Sequence, residues 1–210
     1  MKRIGITQRA EFIDTSGETR DALDTRWTQL LPEIDLLPVP LPNQRPDLIP
    51  VYVNELKLEG FLLTGGEDLS YLNPASRDKL SARDEFEYAL ISYAVENEMP
   101  LFGVCRGMQV INYYFGGKLE EVEGHVAVSH TIVPLVEDIP LSSTVNSFHR
   151  WTVPSNGLPT TFIPLAEDQE GNIEAYIHKS KNIAGIIWHP ERNQKFNIQD
   201  LNFIKRILNG

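Results

Sequence analysis

The stretch L-F-G-V-C-R-G-M-Q-V-I-N-Y-Y-F-G-G, residues 101–117, decides how the rest of the chain folds around it. Residues 101–104 are a short apolar run of the kind that fills a strand buried on both faces. A helix over 107–115 follows almost at once. Such a sharp corner forces strained backbone angles on the residue it carries, and the neighbours must lack side-chain bulk. Gly103 and Gly107 flank Cys105 and supply that room. A lone intracellular cysteine is commonly a buried, inert one. Here the two glycines and the strand-to-helix context describe a nucleophile elbow, with sulfur in place of a hydroxyl. The helix N-terminus beneath Cys105 favours the thiolate, and the Arg106 amide points to where an oxyanion would form.

Outward from this corner, short apolar runs alternate with helical patterns. Residues 3–7 read as a buried strand, 36–41 as an edge strand because of Pro38 and Pro40, and 60–63 as a strand running into T-G-G-E-D. Helices are expected over 18–33, with Leu23, Trp27, Leu30, Leu31 and Ile34 on one face, in the later part of 45–57, and over 82–98. Strands then dominate, at 130–136, 145–148, 161–165, 173–177 and 183–188, with Glu170-Gly171-Asn172 as a hairpin turn. An amphipathic helix covers 198–208. This rhythm implies an α/β fold of three layers, a mostly parallel central sheet with helices on both faces. No repeat, low-complexity tract or linker interrupts it, so residues 1–210 are expected to form a single domain.

The 210 residues carry 19 Lys and Arg against 29 Asp and Glu, a formal charge of −10. That balance repels phosphate backbones and anionic membranes, and no basic run offers a local exception. Neither a nucleic acid nor a membrane is an expected partner. No window approaches the roughly 20 apolar residues of a membrane span. The N-terminal M-K-R-I-G-I-T-Q-R is too short in apolar residues for a signal peptide, so a cytoplasmic location is expected. Cys105 is the only cysteine, which excludes an internal disulfide and a multi-thiolate zinc site.

A thiolate acyl-transfer site needs a base, and the base needs an orienting group. Of His125, His130, His149, His178 and His189, only His189 follows a strongly apolar run, A-G-I-I-W, and precedes a carboxylate by two residues. In W-H-P-E, Pro190 stiffens the backbone between His189 and Glu191. The pair therefore projects from one corner at a strand end, where open parallel sheets bind ligands. His125 and His130 suggest metal ligands, but no third ligand is apparent nearby, and they read as structural. No metal or organic cofactor is expected.

Taken together, G-V-C-R-G-M-Q, W-H-P-E and T-G-G-E-D resemble the class I glutamine amidotransferase superfamily, whose fold is flavodoxin-like. With V-N-S-F-H at 145–149 and Arg83-Asp84 at the head of the helix before the elbow, the chain is similar to the γ-glutamyl-γ-aminobutyrate hydrolase family. The resemblance runs from the first strand to W-H-P-E. It implies Cys105 as nucleophile, His189 as base and Glu191 as its partner, with the Gly66 and Arg106 amides as oxyanion hole. It further implies that Gly65 and Gln109 face the glutamyl moiety and that Ser147, Phe148 and His149 cradle the substrate's amino-acid end. Glu67 departs from the proline or serine often found there; it either meets the substrate's ammonium group or is exposed. The implied reaction is hydrolysis of a γ-glutamyl amide through a glutamyl thioester, releasing L-glutamate without a cofactor.

The residues leave the leaving group open. Arg9 lies at the exit of the first strand, and R-D-A-L-D-T-R-W, residues 20–27, is expected within the following helix. Arg9 and Arg20 could then line the leaving-group side and hold a phosphate. Alternatively, Arg20 and Asp24 form an ordinary pair on a helix surface. I-T-Q-R with R-D-A-L-D-T-R-W resembles a narrower group of stand-alone amidotransferase-like hydrolases associated with surface-polysaccharide genes, which includes the hydrolysis of γ-glutamyl-CDP-amidate. That resemblance implies cytidine diphosphoramidate as the second product, a precursor for capsule decoration. The 210 residues are expected to hold the hydrolase domain without a synthase domain, so a partner synthase is compatible with the sequence but not required. The competing readings are a γ-glutamyl-amine hydrolase, a glutaminase subunit passing ammonia to a separate synthase, and a non-catalytic binding module. The sequence does not constrain the oligomeric state.

Overall fold

Gly60–Leu63, Leu101–Val104 and Ile183–Ile186 are buried at every position in the computed structural model, which describes residues 1–72 and 81–210. A parallel strand covered on both faces has no solvent side on which to place polar residues, so its sequence is a continuous apolar run. In chain order the elements are β1 (Lys2–Ile6), β2 (Arg9–Ile13), β3 (Glu18–Ala22), α1 (Trp27–Leu30), β4 (Leu36–Pro40), α2 (Ile49–Leu56), β5 (Gly60–Leu63), α3 (Ala82–Glu96) and β6 (Leu101–Val104). After the corner come α4 (Arg106–Tyr114), β7 (Glu120–Glu121), β8 (Val126–Thr131), β9 (Val133–Pro134), β10 (Thr144–Phe148) and β11 (Trp151–Thr152). The chain closes with β12 (Phe162–Glu167), β13 (Ile173–His178), β14 (Ile183–Ile186) and α5 (Ile198–Leu208).

Among the described residues the main sheet runs β4-β1-β5-β6-β14-β13-β12-β9. β4 through β14 pair in parallel, and β13, β12 and β9 extend the sheet antiparallel. One core, containing Trp27, Leu30, Phe203 and Ile204, packs α1 and α5 against one face. The other, containing Phe86, Leu90, Met108 and Ile111, packs α3 and α4 against the opposite face. The expected three-layer α/β architecture is therefore present. β4 occupies the sheet edge, where Pro38 and Pro40 interrupt no second ladder. The expected strand at 130–136 is divided: β8 pairs with β10, whereas β9 joins the main sheet.

The expected helix over 18–33 is mostly not a helix. Residues 9–22 form the antiparallel hairpin β2-β3, with Gly17 at φ 65° in its turn. Helix begins only at Trp27 and gives way to a 3-10 turn over Leu31–Ile34, where Pro32 cannot donate the next helical hydrogen bond. The apolar residues that suggest the helix, Leu23 onward, do bury Trp27, Leu30, Leu31 and Ile34. Residues 18–22 contain only one apolar side chain, Ala22, so nothing anchors a helical face there. Arg20 consequently sits on a strand opposite Glu11, and its guanidinium is largely exposed against Glu18.

Because the five parallel strands share one direction, their C-terminal ends meet at one edge. There β1 hands over to the hairpin, β5 to residues 64–67, β6 to Cys105, and β14 to the segment carrying His189. No helix among the described residues is long and apolar enough to cross a membrane.

Buried Asp200 in the first turn of α5 accepts a hydrogen bond from Ser142 Oγ at 3.0 Å. Burial raises its pKa to about 6, only partly offset by that hydroxyl. A carboxyl whose folded pKa is raised contributes most when protonated and costs stability as pH rises through about 6. Asp200→Asn is therefore expected to stabilise the fold by about 1–2 kcal/mol at pH 8, roughly 2–8 °C in thermal midpoint. The gain should shrink at pH 5. An unchanged or lower midpoint at pH 8 would contradict this account.

Candidate active site

Cys105 adopts φ 53° and ψ −107°, a conformation that L-residues rarely hold, at the junction of β6 and α4. The glycines around it answer to close approach. A Cβ on Gly103 would lie 2.5 Å from the Gly107 carbonyl carbon, and one on Gly107 would run into the Leu63 carbonyl of β5. The Cys105 amide donates to the Ile186 carbonyl at 2.8 Å, which ties the corner to β14. Since α4 starts at Arg106, its first amides have no helical acceptor and remain available to an anion.

His189 follows β14, and Pro190 opens the 3-10 turn Pro190–Arg192 that returns Glu191 toward the ring. His189 Nδ1 and Glu191 Oε1 lie 2.6 Å apart, with both residues buried. That contact occupies Nδ1, so Nε2 is the ring nitrogen left to face another group. Gly65 makes room for the imidazole, because a Cβ there would lie 2.5 Å from His189 Cε1. Asn146 clamps the backbone of the same residue: its Nδ2 donates to the His189 carbonyl at 2.8 Å and its Oδ1 accepts from the His189 amide at 2.9 Å. Burial pushes the His189 pKa down, but the Cys105 sulfur and the Glu191 carboxylate outweigh it and hold the value at about 9.

The sign of this shift makes a prediction. A histidine raised from 6.5 to about 9 stabilises the fold fully below 6.5, and that contribution fades as pH rises through about 9. In Cys105→Ala one of the two upward influences is gone while the burial remains. The His189 ring should then titrate at least about one unit lower in an NMR experiment. A ring that still titrates near 9 in the variant would show that sulfur is not its partner.

Beneath the corner lies a buried ion network. Arg106 binds both Glu87 and Asp84 through its guanidinium. Glu87 Oε1 also accepts from Arg83 Nε at 2.9 Å and from Thr7 Oγ1 at 2.7 Å. Arg83 continues to the Thr64 carbonyl at 2.9 Å, the Gly65 carbonyl at 3.2 Å and Glu67 Oε2 at 2.9 Å. One connected set of charges thus supports both Arg106 and the loop that holds Gly65 and Gly66. Glu87 and Asn146 are not among the residues the sequence singles out. The signal present is Arg83, Asp84 and Glu87 interleaved with Phe86 and Leu90 on the inward side of α3.

Two clefts meet at this corner. The larger, about 330 Å³, is lined by Cys105, Gln109, Phe148, His149, Arg150 and Glu67. The smaller, about 60 Å³, is lined by Gly65, Gly66, His189, Arg9, Asp24 and Arg192. Gln109 donates to the Trp151 carbonyl at 2.8 Å while facing the larger cleft. Glu67 is neither fully exposed nor free: its Oε2 is held by Arg83, and its buried Oε1 has no partner among the described residues. Ser147 differs from its neighbours. Its side chain is fully buried and donates to the His125 carbonyl at 2.7 Å, so it shapes the β8-β10 ribbon instead of lining a cleft.

Arg20 lines neither of these clefts; Arg9 and Arg192 line the smaller one, and Arg192 also stacks on Phe148 at 4.4 Å. Arg192 directly follows W-H-P-E, which is the signal that places it. Sequence spacing offers no third ligand beside His125 and His130, and the ligand-spaced group that the fold assembles takes His125 without His130. His149 and Glu174 come to the same place, because β13 passes beneath the ribbon and brings a residue far away in sequence. His149 is held neutral, its pKa lowered to about 3 by burial and by the neighbouring His125 and His130.

Comparison with known proteins agrees with this geometry. The peptidase C26 family matches residues 3–191, a span that contains Cys105, His189 and Glu191. A γ-glutamyl-CDP-amidate hydrolase of Campylobacter jejuni subsp. jejuni serotype O:2 is 34% identical over 196 residues, 92% of each chain. One component of the glutamine-hydrolysing GMP synthase of Methanothrix thermoacetophila is 29% identical over 144 residues, covering 66% of this chain and 70% of its own. The crystal structure of a glutamine amidotransferase from Thermotoga maritima superposes with a TM-score of 0.68 at 15% identity, over 99% of this chain and 84% of that one. With a strand-to-helix corner at the edge of a mostly parallel sheet, the chain belongs to the peptidase C26 family of class I glutamine amidotransferase-like proteins.

Proposed function

We propose that this protein is a cysteine-dependent hydrolase of a γ-glutamyl amide bond that releases L-glutamate, with γ-glutamyl-CDP-amidate as its substrate. The observation that supports the reading is strained Cys105 lining one cleft and the buried His189–Glu191 pair lining another, the two clefts sharing Gly66. Cys105, its proton transferred to His189, attacks the γ-carbonyl carbon. The oxyanion is received by the Gly66 and Arg106 amides. As the C–N bond breaks, His189 returns the proton to the departing nitrogen, leaving a glutamyl thioester on sulfur. Water, deprotonated by the same imidazole, then cleaves the thioester to glutamate and regenerates the thiol. The larger cleft, with Gln109, Phe148 and His149, receives the glutamyl end.

The leaving group is read from the smaller cleft. Arg9 and Arg192 offer planar donors suited to phosphoryl oxygens, and this arrangement matches a phosphorus-linked nitrogen better than a simple amine. The C. jejuni relative bears the name of that activity. The products are then L-glutamate and cytidine diphosphoramidate, the latter serving surface-polysaccharide modification. A cytoplasmic setting belongs to the same reading, since it keeps Cys105 reduced. The GMP synthase relative favours a second reading, ammonia supply from glutamine to a partner.

The test is glutamate release from γ-glutamyl-CDP-amidate, glutamine and γ-glutamyl-γ-aminobutyrate. The phosphorus-linked substrate should be preferred, and Arg9→Ala or Arg192→Ala should raise its KM about tenfold. Neither variant should move the KM for γ-glutamyl-γ-aminobutyrate by more than about twofold. A preference for that amide, insensitive to both arginines, would replace the phosphoramidate reading with γ-glutamyl-amine hydrolysis. A preference for glutamine would favour ammonia supply.

A further inference from the structure

We propose that His125, His149 and Glu174 form a binding site for one divalent transition-metal ion, represented by Zn²⁺, which pins the β8-β10 ribbon to the main sheet. One ligand atom from each of the three residues lies within 4.8 Å of the other two. They come from three separate segments: His125 just before β8, His149 just after β10, and Glu174 on β13. Small side-chain rotations bring atoms so spaced to the bonds of about 2.0–2.2 Å that zinc takes with nitrogen and oxygen.

The polar atoms here are left in the state a metal would use. Glu174 is completely buried, and neither carboxylate oxygen makes an aligned hydrogen bond. His130 Nε2 comes within 3.1 Å of Glu174 Oε2 but without that alignment. His149 Nδ1 faces the Trp151 carbonyl at 3.1 Å, and its buried Nε2 has no partner among the described residues. His125 Nε2 lies 3.6 Å from Asp168 Oδ2, beyond hydrogen-bond length, and its Nδ1 is buried with no partner among the described residues. Metal-bound imidazoles characteristically show one nitrogen oriented by a carbonyl or carboxylate and the other bare. An ion pair between protonated His130 and Glu174 would balance one carboxylate, yet it would leave both bare imidazole nitrogens unanswered, while Asp168 is already held by the Glu170 and Asn172 amides. A doubly charged ion answers the Glu174 carboxylate and both nitrogens at once.

The donor set also selects the ion. Two imidazoles and one carboxylate suit zinc and its transition-metal neighbours, whereas Mg²⁺ and Ca²⁺ demand oxygen ligands. His130, whose ring centroid is 4.9 Å from that of His125, is placed to supply a fourth donor. Its ligand His149 also lines the larger cleft beside Cys105, and the Cys105–His189 pair could itself attract zinc through sulfur, so the experiment must tell the two apart.

Full-length protein stripped with a chelator would be titrated with Zn²⁺ in competition with a chromophoric chelator, and its thermal midpoint followed in parallel. Wild type and Cys105→Ser should each bind one equivalent at this site and gain about 5 °C or more in excess zinc. Glu174→Gln and His125→Gln, made on the Cys105→Ser background, should bind at least about tenfold more weakly. Mg²⁺ should produce no shift. Glu174 is central enough that its variant could misfold; His125, at the margin of the cluster, then provides the reading by itself. Zinc binding that disappears in Cys105→Ser, or that is undiminished in a folded His125→Gln variant, would overturn the proposal.

Discussion

Cys105→Ala is expected to lower glutamate release by about 10⁴-fold or more while leaving the fold intact. No other sulfur exists in the chain to replace it apart from methionine thioethers, which are not nucleophiles of this kind. The neighbourhood is built for this residue alone: the corner angles, the two glycines, and the His189 ring occupying the space above Gly65. The variant should retain the wild-type circular dichroism spectrum and bind substrate without turning it over. Steady-state glutamate release and equilibrium binding, measured side by side, check both halves. Residual turnover within tenfold of wild type would mean that Cys105 is not the attacking group.

Glu87→Gln should be the most damaging single change to stability. Its carboxylate is completely buried and faces two guanidinium groups, Arg83 and Arg106, each likewise buried. Replacing it by an amide removes the one carboxylate that both guanidinium groups share, leaving Arg106 only Asp84 and Arg83 only the part-exposed Glu67. Removing one partner from such a buried set costs about 3–5 kcal/mol, because the remaining charges stay desolvated. For a chain of this size that is on the order of 10 °C in thermal midpoint. The damage should also reach turnover, since Arg83 holds the Gly65 carbonyl and Arg106 supplies a proposed oxyanion donor. Thermal unfolding of the variant checks the first effect, and kcat with KM the second. A loss below about 1 kcal/mol would show that solvent reaches the network after all.

A further consequence concerns pH. If His189 returns a proton to the leaving nitrogen, kcat/KM should fall as pH rises through about 9, where the ring loses that proton. The same titration removes part of the stability, so activity and thermal midpoint should decline over one range.

What could be read directly from the sequence was local. The buried strands at 60–63 and 101–104 are apolar at each position because helices cover both faces, and no other arrangement of the chain makes such runs comfortable. The two glycines around Cys105 and the proline between His189 and Glu191 act within a few residues of the side chains they position. Their meaning therefore survives without knowing what lies across the sheet. The same locality explains the failure at 18–33. Trp27, Leu30, Leu31 and Ile34 do bury, yet their spacing says nothing about residues 18–22, which pair as a strand with β2.

Only the tertiary structure decided which distant residues meet. Thr7 reaches Glu87, Asn146 clamps His189, and Glu174 arrives beside His125 and His149 through strand order and register. The same assembly removed Arg20 from the smaller cleft and brought Arg192 into it alongside Arg9. A side chain's own chemistry and its near neighbours are written in sequence as periodicity, glycine and proline. The partner that a buried charge or imidazole finds is set by packing between elements tens of residues apart, and that pairing leaves no mark on either segment alone.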